Sequence, residues 1–507
     1  MPEWLSEFLP IGVLLVVVAL VLGRLPPVEG VDHSPAFRKR RVMNWLPLGL
    51  TYAFLYMGRY NLKISKFAFE EMQDPTGGAL MGNDDFGFIF TVGTLVYGSS
   101  FLLNGPLADR FGGRLAILVG AGGSAVANAL MGLGAWSLVH AGPGHEFIAS
   151  NFVVVYSVLY AMNMYFQSFG AVAVVKTNAP WFHVRERGVF GAIFGILISL
   201  GVYFAFDLGY MILEGLGVVE VFVVPTVMLT IFWVLDFAIV QNNPEDAGLE
   251  NFDTADASSG DDGPQKGPVQ VFKMMLTNPI IITIALVEFC SGFIRQAPMQ
   301  WYRTFAKQTD VALHLKGDII YDNWGVALCI AGISGGVIAG LISDRVFQSR
   351  RGPVAAILYA GVTLGSVALF FLFKTEAIEL IAPTATAKAV TLSIPGVLAV
   401  LISMCVIGVH GMLSGTASMD FGGSKNVGVA VGIIDGFVYL GTALMSLIYG
   451  IALPKEEFDL DGNLVGPVTE PENWSPWPIS MIVVGILGFF LATRLWNAKP
   501  KGKGGGH

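Results

Sequence analysis

The stretch GPLADRFGGR at 105–114 returns, altered, as GLISDRVF at 340–347. In both places an apolar run ends in glycine, then Asp-Arg, then more basic residues, with Arg350 and Arg351 following the second copy. A short charged turn at the end of an apolar stretch suits the link between two membrane-crossing helices, where it grips the ends of its neighbours. Asp109, Arg110, Asp344 and Arg345 are therefore candidate gating residues. Further out, the lone Arg59 recurs as Arg295 at nearly the same offset along the chain. The loop Arg185-Glu186-Arg187-Gly188 falls, on that shift, on Asp420 to Gly423, just before Lys425. Three features at one offset imply a duplicated six-helix unit. Duplicated halves are how many transporters alternate access, one half rocking against the other around a site between them.

Composition agrees. The chain has 507 residues, 54% hydrophobic and only 13% charged. A soluble domain carries about 25% charged residues, so most of this surface faces lipid. The 62 glycines suit close helix packing in a membrane. Cys290, Cys329 and Cys405 sit alone in apolar stretches, which reads as small buried hydrophobes. No basic run has interleaved aromatics, so nucleic acid is not a partner. Neither metal-ligand spacing, a catalytic triad nor a phosphate loop occurs; no cofactor, metal or enzymatic activity is expected. Gly120-Ala-Gly122-Gly123 lies within a span with no strand before it.

A crossing helix needs about 20 apolar residues. Windows at 43–64, 85–105, 115–138, 151–175, 188–213, 218–240, 278–301, 324–342, 353–374, 391–413, 427–451 and 478–497 satisfy this. The expected organisation is an all-α integral membrane protein. Its parts are an N-terminal extra helix and basic segment (1–41), a six-helix half (42–240), an acidic linker (241–277), a second six-helix half (278–497) and a tail (498–507). Gln241 to Gln270 is rich in Asp, Glu, Gly and Ser and reads as disordered. The apolar Leu9 to Leu22 is expected to be a retained anchor with Met1 outside, because acids precede it and the basic flank follows. Most of the 30 basic residues fall on one side of the windows, with Arg59 and Arg295 the two inside spans. That side, with the linker and the tail, is expected to be cytoplasmic. The membrane is the cell membrane, the inner one if the source is bacterial.

Tyr52, Tyr56 and Arg59 fall at i, i+4 and i+7 and share one helix face. An arginine inside a span costs about 3 kcal/mol on insertion scales. Two at equivalent places argue for a shared purpose, since two guanidinium forks from opposite halves neutralise a dianion such as phosphate. The alternative is snorkelling, each head reaching the interface from past mid-span. His410 and Asp435 are candidate substrate or proton sites, against helix-packing roles for both. Glu288, two turns before Arg295, is placed to offset its charge. Gln167 either lines the path or bridges helices.

These residues also carry a family likeness. Tyr52-x-x-x-Tyr56-x-x-Arg59-x-Asn61, Phe166-Gln167-x-x-Gly170, Trp181-x-x-x-Arg185-Glu186-Arg187-Gly188, Pro244-x-x-x-Gly248-Leu249, Arg295 with Trp301, Ala331-Gly332-Ile333 and Ser343 to Phe347 are its motifs. Gly428, Gly432 and Tyr439-Leu440-Gly441 agree more weakly. With these, the chain resembles the organophosphate:phosphate antiporters of the major facilitator superfamily, which include glycerol-3-phosphate and sugar-phosphate exchangers. Ile433 to Gly436 looks closer to the eukaryotic sugar-phosphate exchangers of that group. The resemblance implies that Arg59 and Arg295 bind the phosphate moiety, that Tyr52, Tyr56 and Gln167 line the cavity, and that phosphate leaves as the organophosphate enters. The family's span-two lysine, span-five histidine and span-eight glutamate are Phe101, Ile198 and Cys329 here, and a tyrosine before the second arginine is Gly292. Two other readings stay open: a carrier of another anion such as a carboxylate, and a membrane sensor of organophosphates. The expected partners are an anionic metabolite, inorganic phosphate and the bilayer, with the protein a monomer.

Overall fold

The computed structural model describes residues 33–497, apart from 76, 184–186, 255–267, 348–349, 375–384 and 460–462. The proposed anchor Leu9 to Leu22 and the tail from 498 lie outside the described residues, as do Arg185 and Glu186. The long helices are α1 (Pro35–Phe69), α2 (Asn83–Phe111), α3 (Gly113–His140), α4 (Phe152–Asn178), α5 (Arg187–Gly215) and α6 (Val218–Ile239). After the linker come α7 (Pro279–Gln308), α8 (Trp324–Phe347), α9 (Arg351–Leu372), α10 (Ala385–Ala452) and α11 (Pro476–Arg494). The helix that opens each half starts alike. Ser34 Oγ accepts from the Phe37 amide at 3.1 Å before Pro35, and Asn278 Oδ1 accepts from the Ile280 amide at 2.9 Å before Pro279. Both are N-caps followed by proline at the first helical position.

The helical run α10 is 68 residues long, yet Ser414 Oγ donates to Asp435 Oδ1 at 2.7 Å. On a straight helix those residues would stand about 31 Å apart at the usual rise. The run therefore doubles back into a first arm, Ile394–Ser414, and a second arm, Val429–Ala452. These arms answer to the tenth and eleventh windows, although no described loop parts them.

Eleven stretches of the described residues are long and apolar enough to cross a membrane, and α1 is not among them. It is nonetheless the first of the twelve expected helices. Every residue from Thr51 to Phe67 is buried, so α1 offers lipid no face there and does not need a lipid-compatible composition. Two expectations change as a result. The first and seventh helices run beyond their windows, and Arg59 and Arg295 are not the only cations within them: Lys63, Lys66 and Arg303 are also buried. The linker is not without structure throughout. Gln241 to Leu249 is pinned to the first half, Asn44 Oδ1 accepting from the Gln241 amide at 2.7 Å, and Pro268–Leu276 is a helix.

The duplication is visible in the packing. In the first half α1 packs on α5 and α6, α4 on α2 and α3, and α3 on α6. Six helices later α7 packs on the second arm and α11, the first arm on α8 and α9, and α9 on α11. The halves meet symmetrically, α2 against the second arm and α5 against α8. At the first contact Gly98 and Gly436 lie backbone to backbone, and at the second Asp207 accepts from the Gly325 and Val326 amides at 2.6 and 2.7 Å. Small residues and buried hydrogen bonds are what join helices where apolar burial has no water to escape.

Candidate anion-binding site

The first arginine is set by helix α4. Along one face of it, Tyr160 Oη donates to the Arg59 carbonyl at 3.0 Å, Asn163 Nδ2 to the Gly58 carbonyl at 2.8 Å, and Gln167 Nε2 to the Leu55 carbonyl at 2.9 Å. The helices come this close because a Cβ at Gly170 would stand 2.8 Å from Leu55 and 3.2 Å from Tyr52. This fixes the backbone of α1 where Arg59 leaves it.

The Arg59 side chain is fully buried. Its Nη1 donates to Tyr439 Oη at 2.9 Å and its Nη2 to Gln167 Oε1 at 3.3 Å. The guanidinium carbon lies 4.6 Å from the Tyr56 ring and 4.7 Å from the Tyr97 ring. Tyr52 supports Tyr56 edge-on, with ring centroids 5.5 Å apart. Arg295 is 8% exposed, and its guanidinium sits 6.0 Å from the ring of the same Tyr439. The pair expected from the repeat is thus brought together from opposite halves, with one phenol between them. Snorkelling is excluded, because both heads turn inward onto buried tyrosines. Nε of each arginine has no hydrogen-bond partner, and neither makes an ion pair among the described residues. Two buried cations without a carboxylate at contact distance among the described residues leave positive charge that an anion could neutralise.

The structure explains two departures from the family pattern. Phe101, where the family has a lysine, stacks on Tyr439 with centroids 5.9 Å apart. Any Cβ at Gly292 would lie 1.8 Å from the Val438 carbonyl, so the second arm closes on α7 only over glycine. The tyrosine found there in the family has no room here.

His410 and Asp435 take partners other than the two arginines. His410 Nδ1 lies 2.7 Å from Glu288 Oε2, and Asp435 accepts from Ser414. In the turn between α2 and α3, Gly112 takes φ 90, and a Cβ on Gly113 would collide with Thr177. Asp109 pairs with Lys176 of α4 at 2.8 Å, and Arg114 donates to the Phe237 carbonyl of α6 at 2.6 Å. Arg110 lies over Phe111. The turn thus binds helix ends of its own half. In the second turn Arg345 is exposed, and the side chain of Asp344 lies outside the described residues.

In the sequence Tyr439 enters only as part of a weak family motif, and neither Tyr97 nor the seam between α1 and α7 stands out. On α7, Gln296, Gln300, Thr304 and Gln308 fall four apart and are wholly buried. Gln296 Nε2 donates to Tyr60 Oη at 2.9 Å, Lys63 Nζ to Thr304 Oγ1, and Gln308 Nε2 to Glu70 Oε1 at 2.9 Å. Beyond them Lys66 pairs with Glu456 at 2.9 Å, and Asn83 Nδ2 donates to Gln308 Oε1 at 3.0 Å. This end of the bundle is sealed by polar contacts between the halves. The four-residue spacing on α7 was the signal that would have found it.

The family model described as the Major Facilitator Superfamily matches residues 48–446. The chain is 23% identical over 487 residues to the glycerol-3-phosphate transporter of Bacillus subtilis, covering 93% of this chain and 96% of that protein. It is 23% identical over 434 residues to the membrane sensor protein UhpC of Salmonella typhimurium, covering 82% and 85%. In fold it is similar to the xylose transporter XylE from E. coli, with a TM-score of 0.59, 15% identity and coverage of 92% and 100%.

Proposed function

Because the chain belongs to the Major Facilitator Superfamily, and is therefore a multi-pass membrane protein and not an enzyme, we propose that it exchanges a phosphorylated small metabolite for inorganic phosphate. The observation that carries this reading is the pair of buried guanidiniums, one from each half, meeting at Tyr439 with no carboxylate at ion-pair distance among the described residues. A phosphate dianion entering between them takes a fork from each side, with Gln167 and the Tyr439 hydroxyl completing its hydrogen bonds. The low-polarity walls formed by Tyr56, Tyr97 and Phe101 strengthen both contacts. Binding joins the halves and favours the closed intermediate. Opening then alternates between the sealed seam at Glu70, Gln308 and Glu456 and the opposite end, where Asp109, Arg110, Asp344 and Arg345 serve as gate turns. The names of the relatives, glycerol-3-phosphate and hexose phosphate transporters, support a phosphate ester as the second substrate.

Counterflow tests this. Purified protein in liposomes preloaded with phosphate is expected to take up labelled phosphate, and a panel of phosphate esters is expected to compete. Uptake of dicarboxylates with no competition from phosphate would replace the reading with a carboxylate carrier. The relative named as a sensor favours one further outcome: phosphate-ester binding without measurable flux, which would mark a receptor.

A further inference from the structure

The Glu288 carboxyl takes no part in the anion site, yet it is completely buried in the middle of α7. Its Oε2 lies 2.7 Å from His410 Nδ1 on the first arm of α10, and its Oε1 has no hydrogen-bond partner among the described residues. Asp435, on the second arm, faces the same region and is held by Ser414. Arg295 lies two turns along α7 from Glu288, on the same face. Other neighbouring elements add little charge. From α9, Tyr359 donates to the Val287 carbonyl at 2.6 Å, Cys290 lies on α7 itself, and α11 has no acid or base before its last residue, Arg494. Two acids, one histidine and one arginine therefore share an interior where isolated charge is costly. An ionisable cluster at membrane depth that packing does not require is a candidate proton site.

The geometry points to a proton-binding centre at Glu288, His410 and Asp435, coupled to anion binding through Arg295. This rests on the reading of Arg295 as half of the anion site. With the site empty, Arg295 offsets the two acids. Once an anion takes the guanidinium, that positive charge is spent on the ligand, and the Glu288–His410 pair gains a proton to restore balance. The proton enters at His410, whose side chain is 22% exposed, and is shared with Glu288, which is sealed at 0%. It leaves by the same histidine when the anion departs. No bond other than the N–H or O–H of this pair forms or breaks. Because linkage is reciprocal, protonation must tighten anion binding by the factor with which the anion tightens proton binding. One coupled proton changes anion affinity by at most about tenfold per pH unit. Each exchanged anion then crosses with a proton, so one-for-one exchange moves protons both ways and pH sets anion affinity rather than the direction of transport.

Titration calorimetry of the purified full chain with inorganic phosphate tests this, in buffers of different ionisation enthalpy across the neutral pH range. Wild type is expected to take up more protons on binding than phosphate itself accounts for, and to bind more tightly at the acid end. Glu288→Gln should retain phosphate binding while losing the excess proton uptake and its share of the pH dependence. His410→Gln should lose the same quantities, which guards against a Glu288 variant that fails to fold. Proton uptake and pH profiles identical in wild type and both variants would overturn the centre and leave the anion site standing. Absence of phosphate binding to wild type would overturn the anion site, and the proton centre with it.

Discussion

At the scale of single residues, the proposed anion site rests on fork geometry as much as on charge. Arg59→Lys keeps the cation but cannot reach Tyr439 and Gln167 together. A charge-assisted hydrogen bond contributes about 1.5–3 kcal/mol, so roughly tenfold to a hundredfold weaker phosphate binding is expected. Arg59→Ala and Arg295→Ala should abolish exchange while the protein still inserts and elutes as a single species. Wild-type exchange rates in purified variants would remove the pair from the mechanism. Tyr439→Phe removes one donor and acceptor but keeps the ring that both arginines face, so a smaller loss of affinity is expected. Gly292→Ala tests packing instead. Its methyl meets a backbone carbonyl that cannot rotate away, and overpacking of this kind costs about 1–3 kcal/mol. A lowered melting temperature is expected, and unchanged melting would mean that α7 and the second arm separate freely.

At the scale of elements, α1 and α7 are paired by symmetry and zipped by polar side chains. Their contact from Tyr60 and Gln296 out to Glu70 and Gln308 has to part if anions enter from that end. A reducible bis-thiol crosslinker joining Asn83→Cys and Gln308→Cys, whose native side chains bond at 3.0 Å, should therefore stop exchange. Reduction should restore it, and full transport by the crosslinked protein would show that the path runs elsewhere. The cations Lys63 and Lys66 then line the opened mouth one and two turns outward from Arg59, and would draw anions toward it. At the opposite end, Asp109 and Lys176 fasten α2 to α4. Asp109→Asn and Asp344→Asn are expected to slow transport more than they weaken binding, because both lie at helix ends away from the arginines. An equal loss of affinity would place them at the substrate.

Across the whole molecule, the halves touch through two symmetric seams, α2 with the second arm and α5 with α8. The first joins close glycines with the rings of Tyr97, Phe101 and Tyr439, and the second is held by hydrogen bonds from backbone amides to Asp207. The basic side of the chain orients the bundle. Single cysteines at Asp261 and Lys501 are expected to react from the cytoplasmic face and one at Met1 from outside. Labelling of Met1 from the same side as Lys501 would remove the N-terminal crossing.

Much of this was legible in the chain. Composition required a membrane protein, the returning Asp-Arg turn pointed to two halves, and the arginine repeat pointed to the candidate site within one helix face in each. Periodicity records such things because they are local. Four matters needed the tertiary structure. Tyr439 lies far along the chain from Arg59 and looks like any aromatic in an apolar run until α10 folds back. The buried cations Lys63 and Lys66 fall at and just past the end of the first window, because hydropathy assumes a helix that faces lipid, and α1 is enclosed by protein. Glu288 and His410 stand 122 residues apart and meet only when the first arm of α10 comes up beside α7, which no spacing encodes. And Gly292 itself, a gap in the family pattern when read as a string, is the one residue small enough for the Val438 carbonyl.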